Sequence, residues 1–292
     1  MPADVAYQGV AAAFGHEAAI AFAGESATTL ACRRFEDVFR AVVDGAASLG
    51  VVPIENTLAG SVHESYDAFA RFEAEPVRIV GERVLRISHA LIVPPGVSLR
   101  DVRRVFSHPL ALSQCEGLFR AHPELEAVAA FNTAGAVRQV LSSGARDAAA
   151  IASARAARTY GGVVLLDGIE DLEANYTRFL AIACGDRTLP ETSPGDAPVR
   201  WKTSLLFTLE HRPGALASLL SAFSDRGLNL VKIESRPLLG RPFEYAFYVD
   251  LLGRVGEPAM DEALAVAARF ARALRSLGSY VAARTPEIAP SR

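Results

Sequence analysis

Lysine is almost missing from this chain: Lys202 and Lys232 are the only two in 292 residues. With none before position 200, that stretch holds no Schiff-base lysine and no Gly-x-x-x-x-Gly-Lys phosphate loop. No run of about 18 apolar residues occurs, so no membrane-spanning helix is expected. The N-terminus lacks a basic segment leading into an apolar run, so no secretory leader is expected either, and the sequence predicts a cytoplasmic protein. The net charge is −3, which gives no basic surface for nucleic acid. Cys32, Cys115 and Cys184 are scattered without metal spacing and are expected to be reduced and buried. His16, His63 and His89 have no partners at metal-ligand spacing, and no metal is expected.

What is present fits a globular protein of two or three domains. Half the residues are hydrophobic and 22% are charged. Strand and helix patterns alternate through the first part of the chain, which predicts α/β lobes with largely parallel sheets. Val5–Gly9 reads as a strand, a helix starts near Gly15, and residues 28–32 form a second strand. Phe35, Val38, Phe39, Val42 and Val43 lie at helical spacing. Leu49–Ile54 is a strand that ends in Glu55-Asn56. Ser61–Glu64 resembles a capping box for the next helix. Residues 77–93 read as a long crossover into a second lobe. That lobe carries strand ends at Ser107-His108-Pro109 and Asn132-Thr133. His108 precedes Pro109, which favours loop shaping over proton transfer. Ligands in such sheets lie beyond the carboxyl ends of the strands. The two lobes are therefore expected to form a cleft like that of a bilobal solute-binding protein, with lobe one comprising 1–80 and 167–184 and lobe two 81–166.

Residues 185–200, with Pro190, Pro194 and Pro198, predict a linker. Beyond it the pattern becomes βαββαβ, a ferredoxin-like unit over 201–286. Its second helix is expected from Ala259 to Leu277, and its last strand from Ser279. The linker also predicts that the first domain stays active without the second.

Asn175-Tyr176-Thr177-Arg178-Phe179 leads a polar loop into an apolar strand. Asp171, Glu173 and Asn175 are too polar for core. Read plainly, Thr177 is a strand residue and Arg178 a surface charge; alternatively both face a ligand. This segment resembles the Thr-Arg-Phe motif of prephenate dehydratases. Tyr7-Gln8-Gly9, Gly50–Asn56, Ser107-His108-Pro109 with Gln114-Cys115, and Thr133-Ala134 agree with that family in order. Gly214-Ala215-Leu216 and Glu234-Ser235-Arg236-Pro237 resemble an ACT regulatory domain. One stretch departs: Ala12-Ala13-Phe14-Gly15 stands where the family has a glycine, a small residue, an aromatic and a hydroxyl residue. No chorismate mutase bundle is expected ahead of Val5.

The resemblance implies the loss of carbon dioxide and water from prephenate to give phenylpyruvate. Aromatisation makes the step downhill, and no cofactor is implied. Thr177 would donate toward the departing ring hydroxyl. Glu55 and Asn56 would line the cleft. Asn56, Ser107, Gln114 and Thr133 would orient substrate, and Arg178 would hold a carboxylate or a supporting salt bridge. Neutral donors suit the carboxylate that must leave, since a cationic grip would oppose its loss. For the second domain the resemblance implies a phenylalanine effector held near Gly214, Ala215, Leu216, Asn229, Leu230, Glu234, Ser235 and Arg236, in a homodimer or homotetramer. Arogenate dehydration and a non-catalytic solute sensor are the alternatives.

Overall fold

Three sheets carry the chain, and the middle of the molecule is where the first and third press together. The computed structural model describes residues 1–185, 187–189, 199–238 and 240–284. Most of the expected linker, 185–200, lies outside the described residues.

The first sheet contains β1 (Ala3–Gln8), β2 (Thr29–Cys32), β3 (Ala47–Asn56), β5 (Val77–Arg86) and β11 (Tyr176–Cys184), ordered β2-β1-β3-β11-β5, with a short β4 (Gly60–Ser61) paired to β3. Helices α1 (Phe14–Ala23), α2 (Phe35–Val43) and α3 (His63–Arg71) pack around it. The second sheet contains β6 (Ala90–Val93), β7 (Arg104–Ser107), β8 (Glu126–Ala129), β9 (Ala148–Ala152) and β10 (Val163–Asp167), ordered β10-β6-β9-β7-β8. Its helices are α4 (Pro109–Ser113), α5 (Glu116–Ala121), α6 (Thr133–Ser143) and α7 (Ala154–Tyr160).

Each sheet is mixed rather than largely parallel. β1 runs parallel to β2 and β3, but β11 is antiparallel to both β3 and β5. The reason is the crossover: β5 leaves lobe one for lobe two, and β11 returns from there, so it must run the other way. The crossover also comes later than expected. β5 stays in the first sheet to Arg86, so lobe two begins beyond it and not at residue 81.

The third sheet is β13-β14-β12-β15, from β12 (Trp201–Leu209), β13 (Leu230–Pro237), β14 (Tyr245–Leu252) and β15 (Ala271–Val281), with α8 (Ala215–Ser224) and α9 (Pro258–Ala267). Strand periodicity explains its position, since alternate side chains leave opposite faces. Leu205 and Phe207 pack with Leu219, Phe223 and Met260 on the helix side. Leu206, Tyr248, Leu277 and Tyr280 join Ile54, Phe69, Ile79 and Leu180 of lobe one. Arg275 adds four hydrogen bonds to carbonyls of Phe72, Glu73, Glu75 and Val77.

Two local expectations change. Residues 271–277 form strand, not helix, because β15 pairs along β12 with a bulge between Gly278 and Ser276. Leu274 lies on the helix side and Leu277 on the lobe-one side, as odd spacing along a strand dictates, and the bulge then lets Tyr280, three residues further on, face lobe one as well. The capping box at Ser61–Glu64 does not form: the N-cap is Val62, and Ser61 Oγ donates instead to Glu234.

The cysteines are free; Cys32 and Cys115 are buried and Cys184 is half-buried. No helix among the described residues is long and apolar enough to cross a membrane.

Candidate active site

β3 and β11 lie side by side, with Thr177 opposite Asn56 and Arg178 opposite Glu55. Alternation then sends these two pairs to opposite faces of one sheet.

On the first face, a chain of amides converges on Thr177. Asn56 Oδ1 accepts from the backbone N–H groups of Leu58 and Ala59, both at 2.9 Å. Backbone donors cannot be reversed, so they fix which end of the Asn56 amide faces which way. Its Nδ2 therefore donates to Thr177 Oγ1 at 2.9 Å and to Asn175 Oδ1 at 2.8 Å. Asn175 Nδ2 in turn donates to Gln114 Oε1 at 3.1 Å. His89 Nε2 lies 3.1 Å from the same oxygen, so Nε2 carries the proton. His89 Nδ1 is buried and has no hydrogen-bond partner among the described residues. Burial pushes the His89 pKa down, which the hydrogen bond to Gln114 and the charge of Glu170 oppose. The ring stays neutral at pH 7. The consequence for Thr177 is specific: its oxygen accepts from Asn56, and its own hydrogen is left to donate.

Gln114 reaches this chain because the helical segment after Pro109 is broken in two. α4 ends at Gln114, which serves as its C-cap, and α5 starts at Glu116. His108 shapes the start of α4, where its Nδ1 accepts from Leu110 N–H. Glu170 anchors His89 from behind. It accepts from the His89 N–H at 2.8 Å, and its side chain is paired with Arg86. The loop that departs from the family pattern closes the lobes. Ala12 packs among Ala90, Ala134 and Ala152 of lobe two, and Phe14 meets the edge of the His89 ring. Ala12 adopts φ +62°, a region that favours glycine, so the family's glycine there has a backbone cause.

The expected site residues divide. Thr177, Asn56 and Gln114 are brought together. Thr133 stands half-buried at the first turn of α6, whose N-cap is Asn132. Ser107 is fully buried and donates to the Ile151 carbonyl at 2.6 Å, so it does not face the cleft as expected. Asn175, expected outside the core, is fully buried, and its polarity is satisfied by Asn56 and Gln114. His89 carried no role in the sequence reading; its alternation with Ile87 was the one signal that it faces inward.

Glu55 and Arg178 correct the reading most. Both sit on the other face, away from Thr177. The Arg178 guanidinium is nine-tenths buried and meets three carboxylates: Asp250 at 2.6 Å, Glu55 at 3.1 Å and Glu82 at 3.2 Å. The Glu55 contact is an ion pair whose angle does not make a hydrogen bond. Burial works against the charge on Arg178, but Asp250, Tyr280, Glu82 and Glu55 outweigh it and hold its pKa well above normal. This arginine is a structural cation, and it has no carboxylate-binding role in the cleft.

In the third sheet, Glu234–Pro237 belongs to β13 and is not a loop. Alternation turns Glu234 and Arg236 toward lobe one. Arg236 makes two 2.9 Å bonds to Asp67, and Glu234 meets Ser61 and His63. These two side chains are thus not free for an effector in this chain, whereas Ser235 between them is exposed. Gly214 caps α8 at φ +78° with open space around it, so its glycine serves conformation. Ala215 is buried, Leu216 and Leu230 pack partly into the domain core, and Asn229 is exposed.

Comparison with known proteins identifies the family. The prephenate dehydratase family model matches residues 5–186, and the ACT domain model matches 203–269. The chain is 41% identical to arogenate dehydratase/prephenate dehydratase 6 of Arabidopsis thaliana, over 97% of this chain and 70% of that one. It is 37% identical to a bifunctional chorismate mutase/prephenate dehydratase of Stutzerimonas stutzeri, over 96% and 73%. Among solved structures, the Arthrobacter aurescens prephenate dehydratase in complex with L-Phe aligns with a TM-score of 0.85 at 32% identity, over 98% of this chain and 93% of that one. GqqA, described as a quorum quenching acylase, aligns with a TM-score of 0.84 at 35% identity, over 95% and 97%. A bilobal α/β region whose Thr177 is oriented by fixed amides, followed by an ACT domain, is thus matched in sequence over nearly its whole length, and the chain belongs to the prephenate dehydratase family.

Proposed function

We propose that this chain converts prephenate to phenylpyruvate, as a carbon–oxygen lyase regulated by phenylalanine. The observation that carries the reading is the orientation of the Thr177 hydroxyl. Asn56 occupies its oxygen, so its hydrogen is offered outward, where a leaving hydroxyl would sit. The ring C–O bond breaks with its electron pair on oxygen, and the bond to the ring carboxylate breaks with its pair entering the ring. Carbon dioxide leaves, the hydroxide takes a proton from solvent and becomes water, and the ring is aromatic. Thr177 is too weak an acid to ionise freely. It acts by a hydrogen bond that strengthens as charge builds on the departing oxygen, an effect worth about 10²–10³ in rate. Gln114 Nε2, with no protein partner among the described residues, and Thr133 at the start of α6 are the neutral donors for the substrate.

Arogenate carries an amino group in place of the keto group and undergoes the same chemistry. The Arabidopsis relative named for both substrates makes it the second reading. Amide hydrolysis, by contrast, needs a nucleophile with an adjacent base. Thr177 Oγ1 receives a donor, Asn56, which argues against that activity here. A cytoplasmic location and a dimeric or tetrameric assembly belong to the same reading. The edge of β13, unpaired among the described residues and carrying exposed Val231 and Ile233, supports assembly.

The test is direct. The protein is incubated with prephenate and, separately, with arogenate, and phenylpyruvate and phenylalanine are measured. Turnover of prephenate with inhibition by phenylalanine is the expected result; no product from either substrate would overturn the reading.

A further inference from the structure

Both lysines of this chain lie at one place. Lys202, on β12, reaches Glu82 at 2.6 Å, and Lys232, on β13, reaches Glu55 at 2.6 Å. Both come from the third sheet, and both carboxylates belong to lobe one. Asp250 of β14 reaches in the same direction, to Arg178. Ser204 donates to Asp250, and Ser204 shares a hydrogen bond with Tyr280. Six charges form the core of this cluster, Arg178, Lys202 and Lys232 against Glu55, Glu82 and Asp250, with Glu234 beside Lys232 at 3.8 Å. Three members come from lobe one and three from the ACT domain.

Position in sequence gives this cluster its meaning. Glu55 immediately precedes Asn56, and Arg178 immediately follows Thr177. The two residues that orient the reacting hydroxyl are each one peptide away from a member of the cluster, on the opposite face of the same two strands. β3 and β11 pair Asn56 with Thr177 and Glu55 with Arg178 in one register, with a bulge just beyond. A shift of either charged side chain therefore moves the backbone that carries the amide or the hydroxyl.

We propose, building on the dehydratase reading, that Lys232 and Asp250 of the ACT domain are positioning residues for the Asn56–Thr177 pair. They touch no substrate. They hold Glu55 and Arg178, and through them they fix the register of the two strands at the reacting hydroxyl. Removing one charge unbalances the cluster: among the described residues, without Lys232 Glu55 keeps only Arg178, and without Asp250 Arg178 keeps only Glu55 and Glu82, so the remaining groups rearrange. The loss is read at Thr177, because preorganised donors lose effect when displaced by a fraction of an ångström.

The experiment uses the full chain and prephenate. Lys232→Met keeps the aliphatic stem and removes the charge, and Lys232→Arg keeps the charge. Asp250→Asn removes the charge that faces Arg178. Each is measured for kcat, KM and thermal unfolding. Lys232→Met and Asp250→Asn are expected to lower kcat at least tenfold with KM changed less than threefold, and Lys232→Arg to recover most of kcat. The decisive arm places Lys232→Met on a Thr177→Ala background. There the residual rate is expected to change less than twofold, because no hydroxyl remains to be positioned. A role confined to stability would lower the rate in both backgrounds alike and would overturn the proposal, as would unchanged kcat in Lys232→Met and Asp250→Asn. Should these variants unfold at the assay temperature, the same comparison of the two backgrounds is made with Lys232→Gln at a temperature where both remain folded. An inactive wild-type protein would instead count against the dehydratase reading itself.

Discussion

At the residue scale the chemistry rests on one hydrogen, that of Thr177, and on what keeps it free. Thr177→Ala removes it, and turnover is expected to fall by about 10²–10³ with the fold intact. Thr177→Ser retains the hydroxyl and is expected to keep most of the rate. Asn56→Asp is a sharper test. It is nearly isosteric, and its oxygen still accepts from Leu58 and Ala59. Yet the atom facing Thr177 becomes an acceptor, so the threonine hydrogen turns to it. Steady-state rates are expected to drop toward those of Thr177→Ala. His89 adds a pH dependence. Its folded pKa lies below the ordinary 6.5, because burial disfavours the cation. The unfolded chain therefore binds more protons between the two values, and stability is lost as pH falls below about 6.5. His89→Gln keeps a donor toward Gln114 but does not titrate. Urea unfolding between pH 7.5 and 5 is expected to show a steeper loss for the wild type than for this variant.

At the element scale, β15 decides how the ACT domain sits. It lies so close to β5 that a Cβ at Gly278 would collide with the Ile79 carbonyl oxygen. Gly278 also has φ +141°, which side chains rarely adopt. Gly278→Ala is expected to cost about 3 kcal/mol or more, through strain and a forced separation of the two strands. Thermal unfolding of the full chain measures it, and an unchanged midpoint would mean that the strands separate freely. The misreading of 271–277 as helix belongs to this scale. Leu277 and Tyr280 are three apart and both face lobe one, and one chain cannot reveal that a bulge, rather than a helical turn, brings them to one side. The side chains of β13 pose a related problem: Glu234 and Arg236 give no sign of facing protein until Ser61, His63 and Asp67 of lobe one are placed opposite them.

At the scale of the whole molecule, the two domains are less separable than a proline-rich linker suggests. A chain ending at Gly185 would expose Ile54, Phe69, Ile79 and Leu180, now covered by Leu206, Tyr248, Leu277 and Tyr280. It would also leave buried Arg178 facing Glu55 and Glu82 without Asp250, Lys202 or Lys232. Such a chain is expected to unfold at a lower temperature than the full protein and to be more prone to aggregate, where independent activity was the sequence-based expectation. Calorimetry of the truncated and full chains checks this; equal midpoints would show that the interface contributes little.

The sequence by itself determined what local pattern can determine. Apolar periodicity marked most strands and helices, the composition change near residue 200 marked a second domain, and short motifs in a fixed order pointed to Thr177, Asn56 and Gln114. Those features are encoded within a few residues of each other, so one chain suffices to read them. The tertiary structure alone decided which face each side chain occupies and what lies across from it. Asn175 is polar in any sequence, but only the approach of Asn56 and Gln114 makes it a buried link. Arg178 and Glu55 looked like substrate ligands because they adjoin Thr177 and Asn56. The period of two along a strand sends neighbours to opposite sides, and only the position of the third sheet shows that their side is closed by Lys202, Lys232 and Asp250.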